Sequence, residues 1–351
     1  MLRVIEIPLS PVYDLDYSPD GRFIATGCGG EPLYIWDAQT GEQVKALTGH
    51  TRSIGSVAYS PDGQFILTGG IYSGEYGIHL WDLQTGEMIQ SEEPDKWVDD
   101  VAYSPDGESI AYTANGEIVI RNVNTWEVIQ RFNSLIRPYS SRSLDFSPDG
   151  RFIVAGGFSE HENNFIYIWD IQTGENTQAL TISGISLIKN LVYSPDGQFI
   201  VSTDEHDDNR IKIWDANTGD LVYTLAEHAL NYELIYSPDG KFLLTTGTNS
   251  ARVWDTSTWE IIATFSGYNY YGRRPHVTIA YSYDGRFVAT AGGDNIRIWD
   301  TSDWSEVKNI ELRMGMYMPQ NVVYRPDGML FRYDFGYSEI PTSKCIRDIH
   351  K

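Results

Sequence analysis

Cysteine is nearly absent: two in 351 residues, too few for a disulfide framework. Cys28 and Cys345 read as reduced thiols of a cytosolic chain. No apolar run is long enough to span a bilayer, and residues 1–10 are too short and interrupted for a signal peptide. The expectation is a cytoplasmic protein with no membrane partner. Basic residues are also scarce. Lys and Arg number 26 against 48 Asp and Glu, for a net charge of −22. Nucleic-acid binding rests on neutralising phosphates with Lys and Arg, so that class is excluded, as is an anionic membrane surface. The charge itself serves solubility, with attraction of a basic partner as the alternative.

Catalytic signatures are missing too. No Cys/His spacing suits zinc. Gly27-Cys28-Gly29-Gly30 ends a strand with no helix behind it, so it is no phosphate cradle. The repeated serines belong to turns, and no nucleophile elbow places one against a His and an orienting acid. The chain reads as non-enzymatic, without cofactor or metal. Thr203 to Asp208 (TDEHDD) gathers carboxylates beside a His, but it lacks the glycine and distal Glu of a calcium loop and reads as a solvated acidic loop.

What is present is a repeat. The tetrapeptide SPDG begins at Ser18, Ser60, Ser104, Ser147, Ser194 and Ser237, with weaker copies at Ser282 (SYDG) and Arg325 (RPDG). Successive spacings are 42, 44, 43, 47, 43, 45 and 43. A period near that value marks a propeller or solenoid. Proline presets the first corner of a turn and glycine takes the φ > 0 position, so each copy reverses the chain between strands. A second punctuation, as in Asp215 to Gly219, is a longer hairpin turn closed by Thr-Gly. Three units replace that close with Trp126, Trp259 and Trp304, expected to cover a turn rather than bind anything. Runs of Val, Ile, Phe and Tyr fill the intervals. Each unit is thus four short antiparallel strands. An aromatic residue precedes each tetrapeptide: Tyr17, Tyr59, Tyr103, Phe146, Tyr193, Tyr236, Tyr281 and Tyr324. One ring per unit suits stacked sheets that bury their faces on one another.

Ile35-Trp36-Asp37, Leu80-Trp81-Asp82, Ile168-Trp169-Asp170, Ile213-Trp214-Asp215, Val253-Trp254-Asp255 and Ile298-Trp299-Asp300 resemble the third strand of WD-repeat β-propellers. The third unit departs, with Ile120-Arg121-Asn122, and the eighth has no Trp-Asp. The resemblance implies a non-catalytic assembly role. It also implies a buried Asp–His–Ser/Thr–Trp network, of which His50, Thr68 and Trp81, and again His228, Thr245 and Trp254, are the parts present. The other units lack the His and are expected to rely on apolar packing.

The expected fold is therefore a single all-β domain over 1–351, an eight-bladed propeller of four-stranded antiparallel blades. Residues 2–9 would complete the last blade beside 344–349 and close the ring. Seven blades with a C-terminal extension is the alternative. One end of each unit carries only the two recurring turns. Loops at the other end vary, as repeat arrays do on a binding face. Interface-type residues concentrate there. The expected anchors are Trp97, Tyr139, Tyr232, Tyr270, Tyr271, Arg273, Arg274 and Met316, with Glu160, Asp204 and Asp207 favouring a basic partner. The function read from this is a scaffold that binds a protein or peptide segment, acting as a monomer. The alternatives are a small-molecule or metal site in a central channel, and a near-consensus propeller with no dedicated ligand.

Overall fold

The recurring turns explain why strands begin and end where they do. Ser60 Oγ donates to Asp62 Oδ1 at 2.6 Å and accepts the Phe65 N–H at 2.9 Å. Asp62 Oδ1 also accepts the Gln64 N–H at 2.9 Å. Gly63, at φ 71°, donates its N–H to Ser60 O. The serine-centred bonds recur at Ser18, Ser104, Ser147, Ser194 and Ser237. In the second punctuation Asp82 Oδ1 accepts the N–H groups of Gln84 and Thr85 at 2.7 and 2.9 Å, and the Gly86 N–H reaches Asp82 O. Both turns satisfy their own backbone, which stops each strand cleanly.

In the computed structural model the described residues are 12–28, 32–37, 42–50, 53–70, 77–92, 98–114, 116–133, 144–157, 164–182, 188–204, 210–225, 234–247, 250–266, 278–281, 285–292, 295–311, 319–324 and 330–334. They form strands and turns, with no helix among them. The first sheet comprises Val12–Tyr17, Phe23–Cys28, Leu33–Asp37 and Gln43–Leu47. The second has Ile54–Tyr59, Phe65–Gly70, Ile78–Asp82 and Met88–Glu92, and the third Val98–Tyr103, Ser109–Ala114, Glu117–Asn122 and Val128–Asn133. The fourth has Leu144–Phe146, Phe152–Gly157, Asn164–Asp170 and Asn176–Ile182, and the fifth Ile188–Tyr193, Phe199–Asp204, Ile211–Asp215 and Leu221–Leu225. The sixth has Leu234–Tyr236, Phe242–Thr246, Ser250–Asp255 and Ile261–Ser266, and the seventh Thr278–Tyr281, Phe287–Gly292, Asn295–Asp300 and Glu306–Glu311. The eighth is two-stranded, Pro319–Tyr324 with Leu330–Asp334. In every sheet successive strands are neighbours. Residues 2–9 and 344–349, and with them ring closure, lie outside the described residues.

Two compact units emerge. One spans Tyr13–Trp36 and Gln43–Glu227; the other takes in His228–Lys351 with two short early segments. Within the first, the core lies between consecutive sheets. Leu33, Ile35 and Leu47 of the first sheet pack with Ile54, Tyr59, Ile66 and Trp81 of the second. Ile118, Ile120 and Phe132 of the third meet Phe146, Ile153 and Trp169 of the fourth. Close approach depends on glycine: a methyl on Gly156 would stand 2.6 Å from Ile188 Cβ, and one on Gly69 2.8 Å from Val98 Cγ1. In the second unit Phe265 stacks on Trp299 with centroids 3.9 Å apart.

Five of the six third-strand Trp residues are tied to their own sheet by an indole N–H bond; in the fourth sheet Ala155 takes the place of the Ser/Thr acceptor. The acceptors are Thr26 for Trp36, Thr68 for Trp81, Ser202 for Trp214, Thr245 for Trp254 and Thr290 for Trp299, at 2.8 to 3.0 Å. The Ser/Thr–Trp half of the family network is thus more widespread than the few histidines suggest. The third sheet substitutes both members. Arg121 takes the Trp position and Tyr112 the Ser/Thr position, with Arg121 Nε 3.4 Å from Tyr112 Oη. Arg121 also donates to Trp126 O at 2.6 Å and pairs with Glu92 of the preceding sheet.

Trp126, Trp259 and Trp304 occupy the place of the turn glycine alone, at φ 60°, 57° and 58°. The left-handed conformation costs a bulky residue about 1–2 kcal/mol. Burial offsets it: Trp259 is buried, and Trp304 meets Phe242 edge-on at 5.2 Å. Trp126 and Trp304 pack, half-buried, against the cores of neighbouring strands.

The fourth strand of every four-stranded sheet is bulged. Opposite each third-strand Trp or Arg121 the register skips one residue: Val44, Ile89, Ile129, Thr177, Val222, Ile262 or Val307.

Candidate functional site

The two ends of each sheet differ in a way that strand lengths alone make plain. At one end every connection is five residues long, for instance 60–64 and 83–87 in the second sheet, and 237–241 and 256–260 in the sixth. At the other end connections range from two residues (115–116) to eleven (267–277). The uniform end spends its polar groups on itself. The Ser104 hydroxyl, and then the Glu108 N–H, hold the Asp106 carboxyl below the ordinary carboxylate range. Ser147 does the same for Asp149. Consecutive turns also touch: a methyl on Gly107 would meet Pro61 Cδ at 3.3 Å.

The first strands carry carboxylates, and these stitch one sheet to the next. Asp16 Oδ2 accepts the Tyr59 N–H at 2.7 Å. Asp145 Oδ2, at the equivalent position, accepts the Tyr193 N–H at 2.9 Å. Asp100 accepts from Leu144 N–H at 3.2 Å and from Ser56 Oγ at 3.3 Å. Burial lifts the Asp145 pKa to about 6, against the pull of the Tyr193 and Phe146 N–H groups. Among the described residues no group of three or more His, Cys, Asp or Glu is placed to hold a metal ion.

Near the variable end of the second sheet His50, His79 and Trp81 form an aromatic group. The two imidazoles lie 4.1 Å apart and His79 stacks on Trp81 at 6.0 Å. His50 Nε2 is 2.7 Å from Thr68 Oγ1, which accepts the Trp81 indole N–H. Burial, and then the neighbouring His79, push the His50 pKa down to about 3, so this ring is neutral near pH 7. The His50–Thr68–Trp81 chain is therefore structural. His228, proposed for the sixth sheet, lies outside the described residues, while its Thr245–Trp254 bond is formed.

The expected anchors fall on the variable connections. Trp97, Tyr139, Tyr232, Tyr270, Tyr271, Arg273, Arg274, Met316, Glu160 and Asp207 lie outside the described residues. Asp204 closes the second strand of the fifth sheet and pairs by backbone with Ile188; its side chain is likewise outside them. Sequence reasoning passed over the bulged fourth strands. Their signal was in plain view: a carboxylate followed by two apolar residues, as in Glu87-Met88-Ile89 and Glu260-Ile261-Ile262.

Comparison with known proteins gives this arrangement its relatives. The WD domain, G-beta repeat family model matches residues 2–37, 41–82, 219–255 and 259–300. A second model, eukaryotic translation initiation factor eIF2A, matches 71–230. Eukaryotic translation initiation factor 3 subunit I of Scheffersomyces stipitis is 26% identical over 203 residues, covering 52% of this chain and 55% of its own. Serine-threonine kinase receptor-associated protein of Rattus norvegicus is 26% identical over 195 residues, covering 55% and 52%. WD repeat-containing protein SL1-17 of Schistosoma mansoni is 28% identical over 164 residues, covering 46% and 52%. The chain spans about half the length of the curated relatives it matches. Among solved structures, Kuenenia stuttgartiensis hydrazine synthase superposes with a TM-score of 0.65 at 19% identity, over 85% of this chain and 98% of that one. That likeness is one of fold alone. The fold is a β-propeller, and seven four-stranded sheets with a two-stranded eighth fit the count of eight blades. Over the matched residues the chain carries WD repeats, and it is similar to a protein named for them.

Proposed function

We propose that this protein is a non-catalytic scaffold that binds a peptide or protein segment through the variable ends of its sheets. One observation carries the proposal: connections at one end are all five residues, while those at the other run from two to eleven. Folding demands neither the extra length nor the Tyr, Trp and Arg it brings. Such residues anchor interfaces because they bury large area at low entropy cost. The curated relatives support the same reading, being named as a subunit of an initiation factor and a receptor-associated protein. On this reading Trp97, Tyr139, Tyr232, Tyr270, Tyr271, Arg273, Arg274 and Met316 are the anchors. Glu160, Asp204 and Asp207 bias the surface toward a basic segment. A cytoplasmic monomer belongs to the same proposal.

The test is affinity capture with the full chain against a Tyr270→Ala, Tyr271→Ala, Arg273→Ala variant of unchanged melting temperature. Loss of specific partners from the variant is the expected outcome. An identical partner set removes the 267–277 connection from the site.

A further inference from the structure

Among the described residues, every large hydrophobic side chain that is exposed lies on a fourth strand. Single exposed apolar residues are ordinary, but confinement to the fourth strand in six of the seven four-stranded sheets is not. The fifth sheet is the extreme case, with Leu221, Val222 and Tyr223 exposed in a row at 48%, 41% and 44%. Three consecutive exposed apolar residues call for a functional reason.

The bulge supplies half of it. The fourth strand is the edge of each hydrogen-bonded sheet, and an extra residue breaks the ladder that another strand would extend. Backbone pairing is thereby blunted. The skipped residue is nonetheless apolar and exposed at Ile89, Ile129, Val222 and Ile262, by 43%, 45%, 41% and 44%. This edge is shaped for side-chain contact rather than strand addition.

Charge supplies the other half. An exposed carboxylate immediately precedes the apolar pair in these four strands: Glu87, Glu127, Asp220 and Glu260. The backbone that carries it is fixed, because its own carbonyl accepts the N–H of Asp82, Asn122, Asp215 or Asp255 at 2.9 to 3.0 Å. A second copy of the chain fits poorly. Isologous pairing would set like carboxylates against one another on molecules of net charge −22. A cationic segment meets no such repulsion. The fourth sheet is a built-in contrast, with Glu175-Asn176-Thr177 keeping the carboxylate and lacking the apolar pair.

We propose that the fourth-strand edges are equivalent docking sites for a basic peptide segment whose Lys or Arg residues alternate with bulky apolar ones. Cations would meet the carboxylate and apolar side chains the bulged pair. Repetition from sheet to sheet lets a partner with several such segments gain by multivalency. This surface is separate from the variable connections.

Three fluorescein-labelled synthetic peptides test it by anisotropy with the full chain: alternating Lys and Leu, alternating Lys and Ser, and alternating Glu and Leu. The Lys–Leu peptide is expected to bind at least tenfold more tightly than either other. Ile89→Ser, Ile129→Ser, Val222→Ser and Ile262→Ser together are expected to weaken it at least tenfold. Equal affinity for the Lys–Ser peptide, or wild-type affinity in the folded serine variant, overturns the proposal. Should that variant fail to fold, Glu87→Lys, Glu127→Lys, Asp220→Lys and Glu260→Lys together decide it: tenfold weaker binding sustains the proposal and unchanged binding refutes it. The Tyr270→Ala, Tyr271→Ala, Arg273→Ala variant is expected to bind the Lys–Leu peptide normally. A tenfold loss there would reassign the peptide to the variable connections.

Discussion

Replacing Arg121 and Tyr112, singly and together, tests whether the third sheet carries a true substitute for the Trp bond. The Arg121 side chain is 10% exposed and its partner Glu92 26% exposed. Its guanidinium bonds Trp126 O at 2.6 Å and lies 5.6 Å from the Trp126 ring centroid. A hydrogen bond to a charged group contributes about 1.5–3 kcal/mol, and a cation–π contact about 0.5–1 kcal/mol. Glu92 Oε2, the oxygen that faces Arg121, is buried although its side chain is 26% exposed, so orphaning it adds to the loss, up to the roughly 3–5 kcal/mol of a fully buried pair. Arg121→Trp alone should therefore destabilise by about 3 kcal/mol, since it loses these bonds and collides with Tyr112. Tyr112→Thr alone empties a site where the ring is 1% exposed, at about 3 kcal/mol. The double variant restores the hydroxyl-to-indole pair of five other sheets. It should be about 2–3 kcal/mol more stable than the two single effects predict. Urea unfolding, followed by circular dichroism and Trp fluorescence, reads the cycle. Additivity within about 0.5 kcal/mol would refute the idea that residues 112 and 121 form one exchangeable unit.

Gly156→Ala should cost about 1–3 kcal/mol, because its methyl would sit 2.6 Å from Ile188 Cβ; a thermal shift upward, as for an unhindered Gly→Ala change, would contradict the packing. Asp145→Asn tests pH linkage. A native pKa raised from 3.8 to about 6 gives stability that is complete below pH 4 and lost as pH rises through 6. That rise corresponds to roughly 3 kcal/mol at most, and less where Asp145 keeps partial contact with solvent. The Asn variant should therefore gain about 2 kcal/mol on wild type between pH 4 and pH 8, and paired urea titrations at both values that show no change would sink it. Trp304→Gly should be more stable than Trp304→Ala by about 1–2 kcal/mol, since Ala keeps the φ of 58° and loses the ring; the opposite order in melting temperature would deny the strain.

The repeat was legible because its punctuation is local chemistry. Ser, Pro, Asp and Gly in that order satisfy a turn without outside help, so the first and second strands of six described sheets end and begin at residues that announce them. The Trp-Asp strands were legible for the same reason. Other features needed coordinates because they are relations between distant residues. Asp145 looks like any Asp until the Tyr193 N–H of the next sheet reaches it. Arg121 looks like a defect in a motif until Tyr112 and Glu92 appear beside it. The bulge at Ile89 shows in sequence only as the Glu87-Met88-Ile89 pattern, and coordinates are needed to place that apolar pair at an exposed edge rather than in a core. The candidate anchors lie on connections whose lengths follow no repeat, and length is what local rules do not fix.

The acidity of the chain has two sources that deserve separation. Six units bring one Asp for the first turn and one for the second, and these bind backbone N–H groups or the serine hydroxyl, while the third sheet uses Asn122 in its second turn. Their number follows from copying the fold, so a large negative charge would arise with no basic partner at all. Their geometry is committed to the turns. The carboxylates before the fourth strands differ. Glu87, Glu127 and Glu260 contribute backbone carbonyls to the turn, while their exposed side chains are not needed to close it. A solubility requirement would be met by placing charge anywhere on the surface. Placement beside an exposed apolar pair, strand after strand, is what a selective contact with a cationic, apolar segment requires. Argument for a basic partner therefore rests on where a minority of the carboxylates stand, and not on the total of −22.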